Sequence, residues 1–370
     1  MKASFWASIL FVLYVYAGYP LLLAIWAALR SRRVARQFTP ANAPTISVVL
    51  AARNESERLP DRITNLLAAE YPTPIEIIVA SDGSTDQTAR VLARFADRVR
   101  YIERPRGGKP QALNAGVATA HGDIIVFADA RQRFAPNALI ALAANFSDAS
   151  VGGVTGELVL DCEADLRAAD SEIGEGVGLY WKYEKWLRRQ ESRIWSTLGA
   201  TGAIYAIRRR LWRPLPPEAL LDDVLTPMRI VLNGKRVVFD EQAQAFDRVA
   251  ASGADESRRK TRTLAGNYQI LALEPRLLNP FVNPVWVQYL SHKVGRLIVP
   301  WCLALAFITN IPLAFRRWPY TLALLVQLCF YGLSLLGARS VRRRTDEPMD
   351  EPRSTSKQRP QPLPARRLSL

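Results

Sequence analysis

Three long runs without a charged residue divide the chain and limit what it can fold into. They span residues 5–29, 297–315 and 318–338, and only Arg316 and Arg317 separate the last two. A helix of about 20 apolar residues is long enough to cross the ~30 Å hydrocarbon core of a bilayer. One such run could be a buried core helix, but three runs that flank a middle part of mixed polarity predict membrane anchors.

The net charge of +15 is concentrated beside these runs. Sixteen of the 49 Lys and Arg residues lie outside residues 38–315, which leaves 33 basic against 30 acidic residues inside that stretch. Basic residues beside apolar runs set the orientation of the anchors and attract anionic lipid headgroups. We therefore expect membrane lipid as a partner and no nucleic acid.

The same charges predict the topology. The first run is longer than the apolar core of a cleaved signal peptide, so we interpret it as a permanent anchor. Four arginines within residues 30–36 follow it, and nine basic residues follow the last run, which places both of these ends in the cytoplasm. Three cysteines without metal-ligand spacing fit a reducing compartment. We expect a multi-pass protein of the cell inner membrane with its catalytic domain in the cytoplasm.

The middle stretch alternates strands and helices. The first half predicts strands over residues 46–51, 75–80, 99–102 and 123–128, with helices over 54–69, 86–95 and 110–120. This order predicts an α/β domain with a mainly parallel sheet. The second half predicts strands over residues 153–160, 199–208 and 237–239, and helices over 168–192, 223–232 and 256–273.

These features divide the chain into five parts. They are an anchor with a basic juxtamembrane segment (1–37), a cytoplasmic catalytic domain (38–277), an interfacial amphipathic helix (278–296), a transmembrane hairpin (297–338) and a disordered basic tail (339–370). Within the interfacial helix, we interpret His292 and Lys293 as contacts to lipid headgroups.

Polar residues follow three of the predicted parallel strands. They are residues 52–55 (ARNE), 81–86 (SDGSTD) and 129–131 (DAR). Each segment by itself could be a turn or a helix cap. Because ligands bind beyond the carboxyl ends of parallel strands, the three segments together predict one site at that edge of the sheet.

Further motifs follow in the order of a known family. They are residues 107–116 (GGKPQALNAG), 201–203 (TGA), 221–223 (LDD), and Arg262 with residues 266–267 (GN). With these motifs, residues 45–273 resemble the family 2 glycosyltransferases. The resemblance implies the GT-A nucleotide-diphospho-sugar transferase fold, with a Rossmann-like N-terminal half and, here, flanking transmembrane helices.

The resemblance also implies a UDP-sugar donor. Asp82 would bind the uracil ring, Glu55 the ribose or base, and Lys109 the diphosphate. Asn114 would be either a helix-surface residue or a nucleotide contact. The other donor-binding residues are Ala52, Asn54, Asp129, Arg131 and Arg262, and the acceptor side is formed by Thr201, Gly202 and Trp181.

Asp129 matches the first acid of the family's Asp-x-Asp metal motif, so the resemblance implies Mg²⁺ or Mn²⁺ as a cofactor. The second acid is replaced by Arg131. Two outcomes remain open: Asp129 holds the metal together with the donor phosphates and water, or Arg131 itself neutralises the diphosphate.

The acids at residues 222–223 occupy the family's base position. Asp223 would be the general base with Asp222 beside it, and attack opposite the leaving group would invert the anomeric carbon. One of the two could instead cap the following helix. The predicted acceptor is a polysaccharide or a lipid-linked glycan, with envelope-glycan assembly proteins as possible partners.

Two alternative functions remain. A processive polysaccharide synthase would carry a Gln-x-x-Arg-Trp motif, of which only Arg262 matches, because Arg259 and Thr263 occupy the Gln and Trp positions. A catalytically degraded nucleotide-sugar-binding membrane scaffold would be consistent with Arg131, but not with three acids retained at the site.

Overall fold

The computed structural model describes residues 1–161, 172–248 and 253–346. The eight strands of these residues are β1 (Ile46–Ala52), β2 (Glu76–Ser81), β3 (Val99–Ile102), β4 (Ile124–Ala128), β5 (Arg133–Phe134), β6 (Val151–Asp161), β7 (Ile204–Arg208) and β8 (Arg236–Arg248). The helices inside the domain are α2 (Leu59–Leu67), α3 (Thr88–Leu92), α4 (Lys109–Ala118), α5 (Ala138–Ala144), α6 (Glu172–Ile194), α7 (Asp222–Leu232) and α8 (Gly253–Leu273). The flanking helices are α1 (Lys2–Leu29), α9 (Trp286–Ala314) and α10 (Trp318–Asp346).

All eight strands form one sheet in the order β3-β2-β1-β4-β7-β6-β8-β5. The strands β1 to β4 pair in parallel, β7 is antiparallel to both of its neighbours, and β6 and β8 are parallel again. In the register, Ala52 lies opposite Ser81, and Leu50 lies opposite Ala128. The polar segments after β1, β2 and β4 therefore meet at one edge of the sheet, and the α/β fold with a parallel N-terminal half is confirmed.

The sheet is covered on both faces, which explains the unbroken apolar sequence of β1. Val48 and Leu50 pack with Leu59, Ile63 and Leu66 of α2 on one face. Successive strand residues point to opposite faces. The residue between them, Val49, packs against α4 and α7 in a second core of its own. Burying each such side chain contributes roughly 1.5–3 kcal/mol.

The strand predicted over residues 237–239 is much too short, because β8 continues to Arg248. Polar residues interrupt the apolar pattern after Phe239, and this caused the error. Asp240 is nevertheless buried. It accepts a hydrogen bond from Asn145 (2.6 Å) and forms an ion pair with Arg36 (3.2 Å). The extended strand brings Asp247 next to Arg131 and Gln132, in the polar segment that follows β4.

The three apolar runs form helices that are long and apolar enough to cross a membrane. The separate interfacial helix predicted over residues 278–296 is wrong, because α9 runs without a break from Trp286 to Ala314. The predicted tail also begins too early, since α10 continues to Asp346. Residues 347–370 lie outside the described part of the chain.

The flanking helices contact one another and the domain. Phe5 of α1 packs edge-on against Tyr320 of α10, with ring centroids 5.4 Å apart. Glu191 of α6 accepts a hydrogen bond from Tyr19 of α1 (2.9 Å) and bonds His292 of α9 (2.6 Å). Buried charged groups need such partners. His292 is therefore a buried link between α9 and α6, and its predicted contact with lipid headgroups is wrong.

Candidate active site

The loops after β1 and β2 are joined by side-chain hydrogen bonds. Asn54 has a left-handed backbone (φ 54°), which asparagine tolerates better than most residues. Its amide oxygen accepts the backbone N–H of Thr85 (2.9 Å). Glu55 binds Arg58 (2.8 Å), and the buried Ala52 offers its carbonyl to the N–H of Asp82 (2.9 Å). These hydrogen bonds hold the predicted donor residues in place at the edge of the sheet.

Asp82 shapes the entrance to α4. One carboxylate oxygen accepts the backbone N–H groups of Gly107 and Gly108, each at 2.7 Å. The neighbouring Gly83 has a φ of +63°, and a Cβ there would lie 2.6 Å from the backbone nitrogen of Arg106. Only glycine fits this approach. The arrangement fixes the Gly-Gly-Lys turn and with it the base of Lys109.

Lys109 joins the loop after β4 to the start of α7. Its Nζ lies 3.3 Å from Asp129 Oδ1 and 3.4 Å from Asp222 Oδ1. Burial opposes the charge of the ammonium group, but the carboxylates of Asp222, Asp129 and Asp223 raise the pKa of Lys109 above its ordinary value. The lysine is therefore a fixed cation between two of the predicted site acids.

Asp222 and Asp223 begin α7 in different surroundings. Asp222 is buried, and the Tyr205 hydroxyl lies 3.5 Å from its Oδ2. Asp223 lies against Gly202, where an added Cβ would be 3.0 Å from Asp223 Oδ2. Burial, followed by the repulsion of Asp222, raises the pKa of Asp223 to about 6. A carboxylate with this pKa is suited to accept a proton near neutral pH.

Arg131 is engaged by a carboxylate that the sequence did not indicate. Its guanidinium lies 2.6 Å from Asp247 of β8, and Gln132 donates to the same oxygen at 2.9 Å. Asp247 is buried, and no described residue donates a hydrogen bond to its other oxygen. The charge of Arg131 is thus balanced inside the protein, which disfavours the idea that Arg131 neutralises the diphosphate.

The fit of a divalent metal rests on Asp129. Within residues 1–161, 172–248 and 253–346, no group of three metal-ligating side chains occurs. The side chain of Asp129 is 39% exposed and uses Oδ1 for Lys109. No described residue hydrogen-bonds the other carboxylate oxygen, which fits an ion that is held mainly by phosphate and water, as Mg²⁺ often is.

Asn114 and Arg262 are engaged by main-chain groups. Asn114 exchanges two hydrogen bonds of 2.8 Å with Leu215, which favours a packing role over nucleotide contact. Arg262 donates to the carbonyl of Leu220 (3.0 Å), shortly before Asp222 and Asp223. Arg262 therefore fastens α8 to the loop that leads into α7.

The predicted acceptor side contains an arginine that sequence reasoning missed. Arg188 of α6 donates to Thr201 Oγ1 (2.5 Å), and Thr201 precedes Gly202, which abuts Asp223. Arg188 and Trp181 both line a small cavity. Their spacing of seven residues, two turns of one helix face, was the available signal. Trp181 therefore lies on the same helix, α6, as the arginine that reaches Thr201.

The comparison with protein families agrees with this geometry. Residues 47–213 match the model of glycosyl transferase family 2. The fold and this match thus define a glycosyltransferase of the GT-A class. Over residues 47–213 the chain is similar to family 2 glycosyltransferases, and the resemblance found in the sequence is confirmed for these residues.

Two curated relatives support this conclusion. The probable glycosyltransferase YdaM of Bacillus subtilis is 24% identical over 241 residues, which are 62% of this chain and 56% of the relative. A poly-beta-1,6-N-acetyl-D-glucosamine synthase of Staphylococcus aureus is 22% identical over 237 residues, which are 61% and 55%. The chain thus spans little more than half the length of these relatives.

A solved structure resembles almost the whole chain. It is the mannosyltransferase PcManGT from Pyrobaculum calidifontis in complex with GDP-Man and Mn²⁺. The two share 22% sequence identity with a TM-score of 0.68, over 92% of this chain and 94% of that one. At this identity the likeness supports the fold, and it extends the similarity beyond the residues matched by the family.

Proposed function

We propose that this protein is an inverting glycosyltransferase that moves a sugar from a UDP-sugar to a polysaccharide or lipid-linked acceptor. The observation that carries the proposal is the position of Lys109 between Asp129 and Asp222, with Asp223 next along α7. This group combines a cation for a diphosphate with a carboxylate for an attacking hydroxyl.

In the proposed reaction, the acceptor hydroxyl approaches Asp223 from the side of Gly202. Asp223 accepts the hydroxyl proton while the oxygen bonds to the anomeric carbon. The bond from that carbon to the UDP oxygen breaks on the opposite face, which inverts the configuration. Lys109 supplies a fixed positive charge for the leaving diphosphate, and such preorganised charge is a large contribution to catalysis.

A divalent metal fits this scheme through Asp129. Bound there, it would act as a Lewis acid that stabilises the leaving diphosphate. Asp129 and Lys109 would then share the diphosphate between them. Arg131 would remain on Asp247 and hold the loop that carries Asp129.

The donor and the acceptor belong to the proposal. The Staphylococcus aureus relative is named for a polymer of N-acetyl-D-glucosamine, which supports a UDP-sugar and an envelope glycan, with glycan assembly proteins as partners. PcManGT was solved with GDP-Man, so GDP-sugars belong in the same test. We further propose that the three apolar helices anchor the domain at the cytoplasmic face of the cell inner membrane.

The polymer synthase relative also keeps the processive alternative open. Against it stands Arg262, the one match to the processive motif, because its guanidinium is bound to the Leu220 carbonyl. The length of product made from one acceptor separates the two functions. Single addition supports our proposal, whereas long products from unsaturated enzyme support a processive synthase.

The proposal is tested with the full chain in lipid nanodiscs. Nucleotide release and sugar transfer are measured with UDP-glucose, UDP-N-acetylglucosamine, UDP-glucuronate and GDP-mannose, in Mg²⁺, Mn²⁺ or EDTA. We expect metal-stimulated UDP release and inverted product. Asp223→Asn should lower turnover about 10²- to 10⁴-fold, while the exposed Asp97→Asn should leave it unchanged. Nucleotide binding without turnover would favour the scaffold alternative.

A further inference from the structure

Two cations, Arg188 and Lys293, lie on the acceptor side of Asp223, and we call them the cation pair. Arg188 reaches Thr201, beside the glycine that abuts Asp223. Lys293 lies on α9 directly after His292, which is bonded to Glu191 of α6. The positive charge of Lys293 acts on Asp223 and partly opposes the rise in the pKa of that carboxyl that burial causes. Both side chains are half-buried.

Neither member of the cation pair has a carboxylate in direct contact among the described residues, although the charges of Glu184 and Glu191 act on both from a greater distance. Glu157 is paired with Lys185, and Glu184 is paired with Arg296 at 2.5 Å. Oε1 of Glu191 is hydrogen-bonded to both Tyr19 and His292. Within the described residues, neither member of the cation pair forms an ion pair.

Cations that no carboxylate contacts directly, beside a general base, are unfavourable unless a ligand uses them. They lower the basicity of the Asp223 carboxylate, and half-buried charge loses hydration that only a counterion restores. The donor diphosphate has its own cation in Lys109, which contacts Asp129 and Asp222. A neutral sugar hydroxyl needs no cation. Two cations without a direct ion-pair partner therefore indicate a negative group on the acceptor.

We propose that the cation pair binds a phosphate of the acceptor, and that the acceptor is a hydroxyl-bearing headgroup joined through phosphate to a membrane lipid. This inference rests on the proposed function. Its lipid part follows from Lys293, which lies in the first third of an apolar helix long enough to cross a membrane. A phosphate held there has its lipid chains beside α9 and its headgroup toward Asp223.

The chemistry of transfer is unchanged by the phosphate. The headgroup hydroxyl oxygen bonds to the anomeric carbon, its proton passes to Asp223, and the bond to UDP breaks. The phosphodiester stays intact and serves to position the hydroxyl. Two sources share this chemistry: a sugar carried on a lipid phosphate, and the glycerol headgroup of a phospholipid.

The test compares acceptors that differ only in the phosphate. The full chain in nanodiscs of zwitterionic lipid is given its active donor with a glucose joined to a decyl chain by a phosphodiester, or with decyl glucoside. Short-chain phosphatidylglycerol represents the phospholipid source. We expect a KM for the phosphodiester that is about tenfold to a hundredfold below that for the glucoside, the usual effect of charge-assisted hydrogen bonds.

The variants Arg188→Gln and Lys293→Gln should each raise the KM for the phosphodiester by at least about tenfold. Because decyl glucoside carries no phosphate, its KM should change much less in the same two variants. Lys293→Arg keeps the charge and should restore part of the preference. The matched control is Arg189→Gln, because Arg189 is the next residue along α6 and pairs with Glu241 on the surface.

Equal use of the two decyl acceptors by the unaltered enzyme would overturn the inference, as would a Gln variant that impairs both acceptors alike. Preference for the glucose phosphodiester over phosphatidylglycerol identifies a lipid-linked sugar, and the reverse identifies a phospholipid. Transfer to decyl glucoside but not to the phosphodiester would overturn this inference and leave the proposed function intact. Absence of UDP release with every donor would refute both.

Discussion

At the scale of the residue, the adjacent acids Asp222 and Asp223 have separate environments. Asp222 is held by Lys109, which we propose to contact the donor, whereas Asp223 lies against Gly202 on the proposed acceptor side. Neighbouring helix residues point in directions about 100° apart, so one helix start serves both sides. Their proximity also raises the pKa of Asp223, because two negative charges so close repel each other.

The pKa of Asp223 predicts the pH dependence of activity. The reactive form is ionised, so kcat/KM should rise with pH and level off above about 6, in a profile of initial rates from about pH 5 to 8. The ordinary value is 3.8, so the native state holds this proton more tightly than the unfolded chain. The Asp223 contribution to stability is therefore fully present below the ordinary value and is lost as pH rises through about 6.

The residual activity of Asp223→Asn should no longer show the rise of kcat/KM with pH up to about 6. Asp97→Asn, on the exposed surface, should keep it. If kcat/KM of the unaltered enzyme levelled off already near pH 4, burial would not be raising the pKa of the proposed base.

At the scale of the element, the loop after β4 is fixed to β8 by the pair Arg131 and Asp247. Arg131→Met would leave the buried Asp247 carboxylate with only Gln132 as its partner. Breaking a buried pair costs about 3–5 kcal/mol, and because Arg131 is 39% exposed we expect about 1–3 kcal/mol. Thermal unfolding of the full chain in detergent measures this change.

A double variant provides the control for this pair. Arg131→Met with Asp247→Leu removes both charges and should recover part of the lost stability, because no carboxylate is then left buried alone. Additive losses would show that the two side chains do not act as a pair. A raised donor KM in Arg131→Met with normal stability would instead place Arg131 on the diphosphate.

The helix α8 is packed tightly against the loop that carries the acids. A Cβ at Gly266 would clash with the side chain of Leu221, the residue before Asp222. Gly266→Ala should therefore displace the start of α7, with about 1–3 kcal/mol of lost stability and a lower kcat. Steady-state rates and thermal unfolding check this.

The matched control for this substitution is Gly332→Ala in α10, where an added Cβ meets no atom within 4 Å. It should leave both rate and stability unchanged. A Gly266→Ala protein with normal kcat would show that the position of α8 does not control the acids.

At the scale of the whole molecule, the apolar helices and the domain share buried polar contacts. Helices α1 and α9 both reach Glu191 of α6, through Tyr19 and His292. The same α6 presents Arg188 to the site. The apolar helices α1 and α9 therefore contact the same helix that presents Arg188 to the proposed acceptor side, and the domain is not simply tethered to them.

The proposed topology predicts which positions face each side of the membrane. In a variant without the native cysteines, Arg316→Cys should react with a membrane-impermeant thiol reagent added to intact cells. Asp97→Cys should react only after the cells are opened, because the basic residues after the first and the last apolar run keep those two ends inside. Labelling of Asp97→Cys in intact cells would reverse the orientation.

The sequence by itself determined the parts of the protein that local pattern specifies. Apolar runs longer than a bilayer crossing specified the flanking helices, and unbroken β-branched runs specified the buried strands. The acids Asp82, Asp129 and Asp223 were found because they directly follow a strand or begin a helix. Their position along the chain already fixes the edge of the sheet at which they lie.

Only the tertiary structure decided which side chains meet across distant segments. Arg131 pairs with Asp247, 116 residues away, on a strand whose polar sequence hid its length. Arg188 reaches Thr201, and His292 is buried against Glu191, 101 residues away, rather than exposed to lipid. The choice of partner for a charged side chain depends on burial and on the packing of whole elements, and neither can be read from neighbouring residues.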